Sequence, residues 1–443
     1  MSLDPKQAER PTPPLGGPKS AQAGESAFDS GGSVIVPRAQ ADMQLRAYGA
    51  VVAMAAGSAL GAPWSLVRAP ASDDPITMAG RPGLPANSWS EVMHPAICLL
   101  EAFNSVRLDK SEDGYLQAVR EDYARRLVAW YRTQPAEVNS GLQLVLNDVT
   151  SPDAYLVKFD PSQSHGSAAG RAGGGAGGGT GGVVGAGAEE SAAAQDPVGD
   201  SDSTPVQTPT QSFESKWAER LEQVARARFE RTRLGFRFAD NHTLPLAVVV
   251  GVVAPADPHT AAQIAEYMSI TTTAHPLSVA ATKWLAAFVS LCVAGTLKTP
   301  PAAQRSTGDE TRFAGSQWRE TAKAALEIVE ADEETLHQLR AAIDLGGEAG
   351  AGISAPSAVS RLLAALETAT WEVSRNTQLQ PLSVAVDSSV RAGGDTETVA
   401  ALVAGVCGAV VGQRGIPAHW TTDLHGWPGM KVDSLRDLVA GAI

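Results

Sequence analysis

The feature that most constrains the fold is a helical pattern of apolar residues that recurs along most of the chain. Apolar positions follow one another at mixed spacings of three and four residues, with alanine as the commonest filler. The segments with this pattern are 42–61, 94–108, 115–133, 214–231, 259–270, 276–294, 316–342, 356–374 and 396–412. Strand-like alternation is scarce, and the apolar run 246–253 fits a strand or a buried helix equally well. The pattern predicts an all-α domain built from many short helices.

Two stretches of low complexity stand apart from this pattern. Residues 1–40 are rich in proline, serine, glutamine and glycine, and residues 161–212 contain a glycine-rich run without the period of collagen. Such segments offer too little apolar surface to offset the entropy lost on ordering. We therefore predict a disordered tail at 1–40 and one domain at 41–443, which a disordered insertion interrupts at 161–212.

Net charge and cysteine content indicate the binding partners and the cellular compartment to expect. The formal net charge of −13 opposes nonspecific binding to nucleic acid, which needs a basic surface. Cys98, Cys292 and Cys407 lie in apolar surroundings without metal-site spacing, which is typical of reduced thiols. The N-terminus lacks the apolar stretch of a secretory signal, and the longest apolar runs are shorter or richer in glycine than a membrane span of about 20 residues. We expect a cytoplasmic protein without a nucleic-acid partner or membrane anchor, and the sequence predicts no particular oligomeric state.

The strongest chemical signal is the segment 391–401, which opens a helix crowded with glycine and alanine. The paired glycines Gly393 and Gly394 permit a tight turn, after which Asp395, Glu397 and Thr398 place three oxygen-bearing side chains within one helical turn. Carboxylate and hydroxyl oxygens are the ligands that hard cations prefer. The same residues also suit a purely structural role, in which Asp395 caps the helix and Glu397 complements the helix dipole.

These residues also carry a resemblance to a known family. The motif 393–398, followed by a small-residue helix and by Gly415-Ile-Pro-Ala-His-Trp420, resembles the C-terminal signature of the ADP-ribosylglycohydrolases, which is G-G-D-T-D-T, a helix, a glycine and P-x-x-W. Further segments similar to family motifs are Arg46–Pro63, Trp89 with the helix that follows it, Thr273–Pro276 and Leu424–Gly429. The resemblance implies an all-α ADP-ribosylglycohydrolase-like domain.

The resemblance also implies a chemistry and a set of site residues. In this family, a W-T-D-D-T segment and a D-T-D-T segment hold two magnesium ions, and a bound water attacks the ribose of ADP-ribose carried on a protein or small molecule. Matched position by position, the implied metal ligands are Ser90, Glu91, Asp395, Glu397 and Thr398, with Glu91 as the catalytic base. The implied substrate-binding residues are Asn241, His242, Thr243 and Gly394.

Several residues depart from the family motifs. Val92 stands where the family has a carboxylate, so the sequence predicts one magnesium ion rather than two. Ser58 and Ser65 stand where acidic residues are usual. Asp240 and His242 replace glycines that would let backbone N–H groups approach the substrate phosphates, and Asp240 adds like charge there.

Three functions remain open at this point. The first is hydrolysis of an ADP-ribosyl bond by a magnesium-activated water. The second is recognition of ADP-ribose without turnover, which the losses at Ser58, Ser65 and Val92 favour. The third is a structural or partner-binding role, since the family fold has been reused as a lens crystallin. Titration with ADP-ribose, with and without magnesium, distinguishes among them.

Overall fold

The computed structural model is mainly helical, with almost no strands, over the residues it describes, which confirms the all-α prediction. The described residues are 38–107, 109–151, 216–232, 239–297, 310–345 and 350–443. The predicted insertion at 161–212 lies outside them, as does the predicted tail apart from residues 38–40, which begin the first helix. The disorder of these two segments therefore stays a prediction.

Fifteen helices and one small hairpin make up the described chain. The helices are α1 (Arg38–Gly61), α2 (Met93–Ser105), α3 (Tyr115–Arg132), α4 (Ser140–Thr150), α5 (Trp217–Thr232), α6 (Leu244–Val253), α7 (Pro258–Ser269), α8 (Pro276–Ala294), α9 (Glu310–Leu326), α10 (Glu333–Leu345), α11 (Ala355–Arg375), α12 (Pro381–Arg391), α13 (Thr396–Val411), α14 (Ala418–Thr421) and α15 (Val432–Ala442). Short 3₁₀ helices follow α1 at Ala62–Trp64 and α13 at Gln413–Gly415. The strands β1 (His425–Gly426) and β2 (Met430–Lys431) pair antiparallel.

The helices differ from the sequence prediction in several places. The single helix predicted at 316–342 is wrong, because α9 and α10 are separate and Asp332 caps the second of them by accepting the backbone N–H of Thr335 at 2.9 Å. The ambiguous run 246–253 belongs to the buried helix α6. Helices α4, α12, α14 and α15 were not predicted, although Asn139 at the N-cap of α4 and Pro381 at the first position of α12 mark the starts of two of them.

Helices α1 and α13 form the centre of the core and run antiparallel with their backbones in close contact. A Cβ atom on Gly408 would lie 2.3 Å from the carbonyl oxygen of Gly49, and one on Gly61 would lie 2.3 Å from that of Thr396. The hydroxyl of Thr396 also donates to the Gly61 carbonyl at 2.7 Å. The small residues therefore place the end of α1 directly beside the start of α13.

A second contact brings the loop before α6 to the same place. The side-chain amide of Asn241 donates to the Gly352 carbonyl and to Asp395 Oδ2, both at 2.7 Å. Asn241 is completely buried, so these hydrogen bonds are shielded from water. The loops before α6 and α11 and the start of α13 consequently meet at one point.

Two of the helices are long and apolar enough to span a membrane by length and composition alone. They are α1 with its extension, Ala39–Trp64, and α8, Pro276–Ala294. In both, 83% of the most apolar window is buried inside the fold, as in core helices of proteins that cross no membrane. The expected absence of a membrane anchor and the expected cytoplasmic location stay predictions.

Candidate active site

An arginine that the sequence analysis did not single out lies at the centre of the candidate site. Arg81 belongs to the connection between the first 3₁₀ helix and α2, in a tight turn closed by its N–H donating to the Leu84 carbonyl at 2.9 Å and by the reverse bond at 2.8 Å. Pro82 and the positive φ of Gly83, +85°, are typical of a type II turn. The turn directs the Arg81 side chain inward, where it is 18% exposed.

The Arg81 guanidinium lies among three carboxylates. Its Nη2 is 2.8 Å from Glu397 Oε2 and 3.7 Å from Glu91 Oε2. Its Nε donates to Glu137 Oε1 at 3.0 Å, and Nη2 makes a further contact with the other oxygen of that carboxylate. Its Nη1 donates to the Ala62 carbonyl at 2.7 Å. The guanidinium thus joins the end of α1, the start of α2, the α3–α4 connection and the start of α13.

The three carboxylates form a cluster of the kind that can hold a metal ion. One oxygen from each of Glu91, Glu137 and Glu397 lies within 4.8 Å of the others. Glu91 and Glu397 were among the predicted metal ligands, whereas Glu137 was not. Glu137 follows α3 in a segment without a recognisable motif, so only the folded chain reveals its place in the cluster.

Burial and like charge govern the ionisation of this cluster. Burial, reinforced by the charge of Glu397, raises the pKa of Glu91 well above its ordinary value against the opposing effect of Arg81. Burial likewise raises the pKa of Glu397, to which the charge of Asp395 adds. Burial lowers the pKa of Arg81, but its bonds to Glu137 and Glu397 outweigh this and raise the pKa above the ordinary value. The guanidinium is therefore always charged, while the carboxylates around it repel one another.

Asp395 has the structural role that the sequence left open. Its Oδ1 accepts the backbone N–H of Thr398 at 3.2 Å, so it caps α13, and its Oδ2 accepts from Asn241. Burial raises the pKa of Asp395 despite these hydrogen bonds. Asp395 lies outside the three-carboxylate cluster, and its role as a metal ligand stays a prediction.

The segment 90–92 combines a buried hydroxyl with an apolar side chain. Ser90 is completely buried, and its hydroxyl has no hydrogen-bond partner among the described residues. Its backbone N–H donates to the hydroxyl of Ser58 at 3.3 Å. Val92 is 7% exposed, so the position that would carry a carboxylate in the family is buried and apolar here.

A small cavity adjoins this segment. It has a volume of about 20 Å³, which is close to the space that one water molecule needs. Its lining residues are Glu91, Val92, Pro95, Trp130, Asn139, Leu142, His242, Pro245 and Thr398. The cavity therefore brings together the predicted catalytic residue Glu91, the predicted ligand Thr398 and the predicted substrate-binding residue His242.

The other predicted substrate-binding residues are held by internal contacts. The two ring nitrogens of His242 contact Asp240 Oδ1 and, at 3.0 Å, the hydroxyl of Thr272. The hydroxyl of Thr243 lies 2.7 Å from that of Thr282 in the interface between α6 and α8, away from the cavity. Burial raises the pKa of Asp240, but His242 lowers it by more, so the net pKa is below the ordinary value.

Close packing explains why position 394 is a glycine. Its φ is +77°, and a Cβ atom would lie 2.1 Å from the carbonyl oxygen of Ala351. The next residue, Asp395, donates its backbone N–H to the same carbonyl at 2.7 Å. Close approach of the 350–354 loop thus explains the glycine, and a substrate contact at Gly394 stays a prediction.

Aromatic side chains close the site on the side of α2. His94 packs against Trp130 and Trp427, with ring centroids 5.3 and 5.2 Å apart. Burial lowers the pKa of His94 to about 3, so its ring is neutral. Trp89 Nε1 donates to the Trp427 carbonyl at 3.1 Å, which fastens the C-terminal segment over the start of α2.

These features define an all-helical protein with a buried acidic site between the starts of two helices. A family model described as ADP-ribosylglycohydrolase matches residues 39–443. The chain therefore belongs to the ADP-ribosylglycohydrolase family, a group of metal-dependent hydrolases that act on ADP-ribosylated substrates.

A solved structure supports the same fold. A chain described as "ADP-ribosylglycohydrolase-related protein complex" superimposes with a TM-score of 0.52 at 18% sequence identity, covering 91% of this chain and 98% of that one. At this identity the likeness establishes the fold alone. No curated protein sequence matches the chain.

The residues present do not fit a centre of two metal ions. Val92 supplies an apolar side chain where a ligand carboxylate is required, and Arg81 already contacts the carboxylates that would bind an ion. A hard cation needs several oxygen ligands at about 2.0–2.6 Å, and one of those oxygens, Glu397 Oε2, already pairs with the guanidinium at 2.8 Å. A single ion in this cluster would compete with Arg81 for the same carboxylates.

Proposed function

We propose that this family member recognises ADP-ribose, or an ADP-ribosylated substrate, without hydrolysing the glycosidic bond. The proposal rests above all on the Arg81 guanidinium between Glu91, Glu137 and Glu397. A guanidinium neutralises carboxylates and donates hydrogen bonds, but it has no open coordination position at which a water could become acidic. With the guanidinium in this place, the cluster would not activate a water as a nucleophile at neutral pH.

Two observations support the recognition half of the proposal. Family membership makes ADP-ribose the expected ligand class, as an argument by analogy. The buried hydrogen bonds of Asn241 to Gly352 and Asp395 hold the loop before α6 in one position beside the cavity, as a binding site for a defined ligand requires. The small cavity indicates that a ligand binds at its mouth or displaces side chains on entry.

Titration and turnover assays test the two halves separately. Isothermal titration should give saturable binding of ADP-ribose in EDTA, with the same affinity in the presence of Mg²⁺. An ADP-ribosylated protein incubated with the chain should release no ADP-ribose above the enzyme-free rate. Magnesium-dependent release would overturn the non-hydrolytic assignment, whereas absence of any ADP-ribose binding would favour a structural or partner-binding role.

The second candidate is hydrolysis with one magnesium-activated water and Glu91 as the general base. It is favoured by the Ser90 hydroxyl and by Glu91 Oε2, which are buried and lack hydrogen-bond partners among the described residues. The raised pKa of Glu91, caused by burial and by Glu397, also suits a base that works near neutral pH. Release of ADP-ribose that requires Mg²⁺ and is lost in Glu91→Gln, but kept in the distant Arg125→Ala, would establish this candidate.

A further inference from the structure

We propose that the Arg81 guanidinium is a built-in counter-ion that replaces a divalent cation in the cluster of Glu91, Glu137 and Glu397. The inference deepens the non-hydrolytic function proposed above, on which it rests, and it is tested without ADP-ribose. It makes two claims: that the native chain excludes divalent cations from the cluster, and that removal of Arg81 creates a cation site.

The first step of the argument is that Arg81 is held in place by its backbone. The turn at 81–84 is closed by two backbone hydrogen bonds, and the Asn87 N–H donates to the Met78 carbonyl at 2.9 Å to close the surrounding loop. Gly80 packs so tightly that a Cβ atom would lie 2.5 Å from the Leu84 carbonyl oxygen. The guanidinium is thus presented to the cluster by a closely packed loop, unlike a long side chain on an open surface.

The second step is the match between donors and acceptors. Arg81 Nε and Nη2 contact both oxygens of Glu137, and Nη2 also donates to Glu397. The remaining nitrogen, Nη1, donates to the Ala62 carbonyl. Two-pronged pairing with a carboxylate fixes orientation as well as charge, which a lysine ammonium cannot reproduce. Hydrogen bonds therefore hold the guanidinium to the side chains and backbone of three segments.

The third step is charge. A divalent cation bound to the same carboxylates would lie within about 4 Å of the guanidinium and would be strongly repelled in this partly buried setting. Binding of the cation and binding of the guanidinium therefore exclude each other. Arg81 has the advantage in this competition, because it belongs to the same chain and is held beside the carboxylates.

The fourth step concerns buried oxygen atoms in this region to which Arg81 donates no hydrogen bond. Among the described residues, Glu91 Oε2 is buried without a hydrogen bond and lies 3.7 Å from Arg81, and the hydroxyl of the adjacent, completely buried Ser90 also has no partner there. Both are oxygen atoms of the kind that hard cations bind. Without the guanidinium, these oxygens and those of Glu137 and Glu397 are available to an ion.

The experiment measures binding of Mn²⁺ alone, followed by the loss of the free-ion electron paramagnetic resonance signal and by calorimetry. Wild type is compared with three variants. Arg81→Gln and Arg81→Ala remove the positive charge, whereas Arg81→Lys keeps it. Arg125→Ala is the matched control, because Arg125 is 53% exposed on α3 and pairs with Asp122 outside the cluster. Circular dichroism establishes that each variant is folded.

We expect wild type, Arg81→Lys and Arg125→Ala to bind Mn²⁺ only weakly, and Arg81→Gln or Arg81→Ala to bind one ion at least about tenfold more tightly. Mg²⁺ should raise the melting temperature of these two variants and leave that of wild type unchanged. The inference is overturned if wild type binds Mn²⁺ as tightly as they do, or if the folded variants gain no binding. Failure of wild type to bind ADP-ribose, with these metal results intact, would instead remove the recognition proposal alone.

Discussion

Arg81 Nη2 lies 2.8 Å from Glu397 Oε2, and this ion pair joins residues 316 positions apart. Glu397 belongs to the acidic family motif, whereas Arg81 belongs to a turn in which no family motif was recognised. The pair fastens the loop before α2 onto the start of α13 and neutralises one of three neighbouring carboxylates. Glu91 faces the same guanidinium from 3.7 Å, and burial together with the charge of Glu397 outweighs the attraction of Arg81, so the pKa of Glu91 is raised.

The first prediction follows from this imbalance. Glu91→Gln should raise the free energy of unfolding at pH 7 by about 1 kcal/mol, because it removes a buried charge whose pKa is already raised by burial and by Glu397. Glu397→Gln should stabilise less than Glu91→Gln, because burial raises the pKa of Glu397 too but the substitution also removes its charged hydrogen bond to Arg81. Urea denaturation of both variants measures the contrast. Equal changes of stability in the two variants would contradict it.

The second prediction concerns the packing of α1 against α13. Gly408→Ala should destabilise the fold by about 3 kcal/mol or more, because its Cβ would lie 2.3 Å from the Gly49 carbonyl oxygen and one backbone must shift. Gly405→Ala on the same helix is the control, since its Cβ would meet only side chains, the nearest at 3.2 Å. Thermal unfolding should place the Gly405 variant within about 1 kcal/mol of wild type. Similar losses in both would disprove the close backbone contact.

The third prediction concerns His94, whose pKa is lowered by burial from 6.5 to about 3. The unfolded chain takes up this proton at higher pH than the folded one, so the stabilisation is complete above pH 6.5 and is lost as the pH falls toward 3. Between pH 6.5 and 5.5, wild type should lose about 1 kcal/mol more than His94→Phe, because the unfolded imidazole is only half protonated at the start of this range. Carboxyl groups with raised pKa values, such as Glu397, are common to both proteins. Parallel stability profiles would show that His94 is not buried as a neutral ring.

The sequence predicted the fold class well because helical periodicity needs only local information. It also predicted that the motifs around Glu91 and Glu397 converge, since each motif retains family residues and the two groups lie in one cluster. It divided the helices wrongly at 316–342, because apolar spacing continues across the break at 327–332 and only the cap at Asp332 marks it.

The sequence did not reveal the residues that change the chemistry of the site. Glu137 occupies an unmarked segment, and its contact with Arg81 spans 56 positions that periodicity cannot connect. The sequence analysis did not single out the segment Arg81-Pro-Gly-Leu, although proline followed by glycine is typical of a type II turn, and the direction of the Arg81 side chain depends on the packing of the whole loop. Val92 was recognised as a missing ligand, whereas the guanidinium that accompanies this loss appears only in three dimensions.

The last prediction combines Val92 with Arg81. In the native background, Val92→Asp should destabilise the fold by about 3 kcal/mol, because Val92 is 7% exposed and lines the cavity with Pro95, Trp130 and Leu142. Val92 is also the N-cap of α2, where aspartate gains about 1 kcal/mol, which is too little to offset burial of a charge. Magnesium should not restore this stability, since Arg81 still contacts the cluster.

In Arg81→Gln, the same substitution should have the opposite dependence on magnesium. The added carboxylate then joins those of Glu91 and Glu397 without a competing guanidinium, so Mg²⁺ should raise the melting temperature of the double variant more than that of Arg81→Gln alone. Val92→Thr in each background controls for loss of apolar packing without added charge. Thermal unfolding across a Mg²⁺ titration measures all of these proteins. A magnesium-dependent rise for Val92→Asp with Arg81 intact would mean that the guanidinium does not exclude the ion, whereas no rise in the double variant would mean that Val92 does not face the cluster.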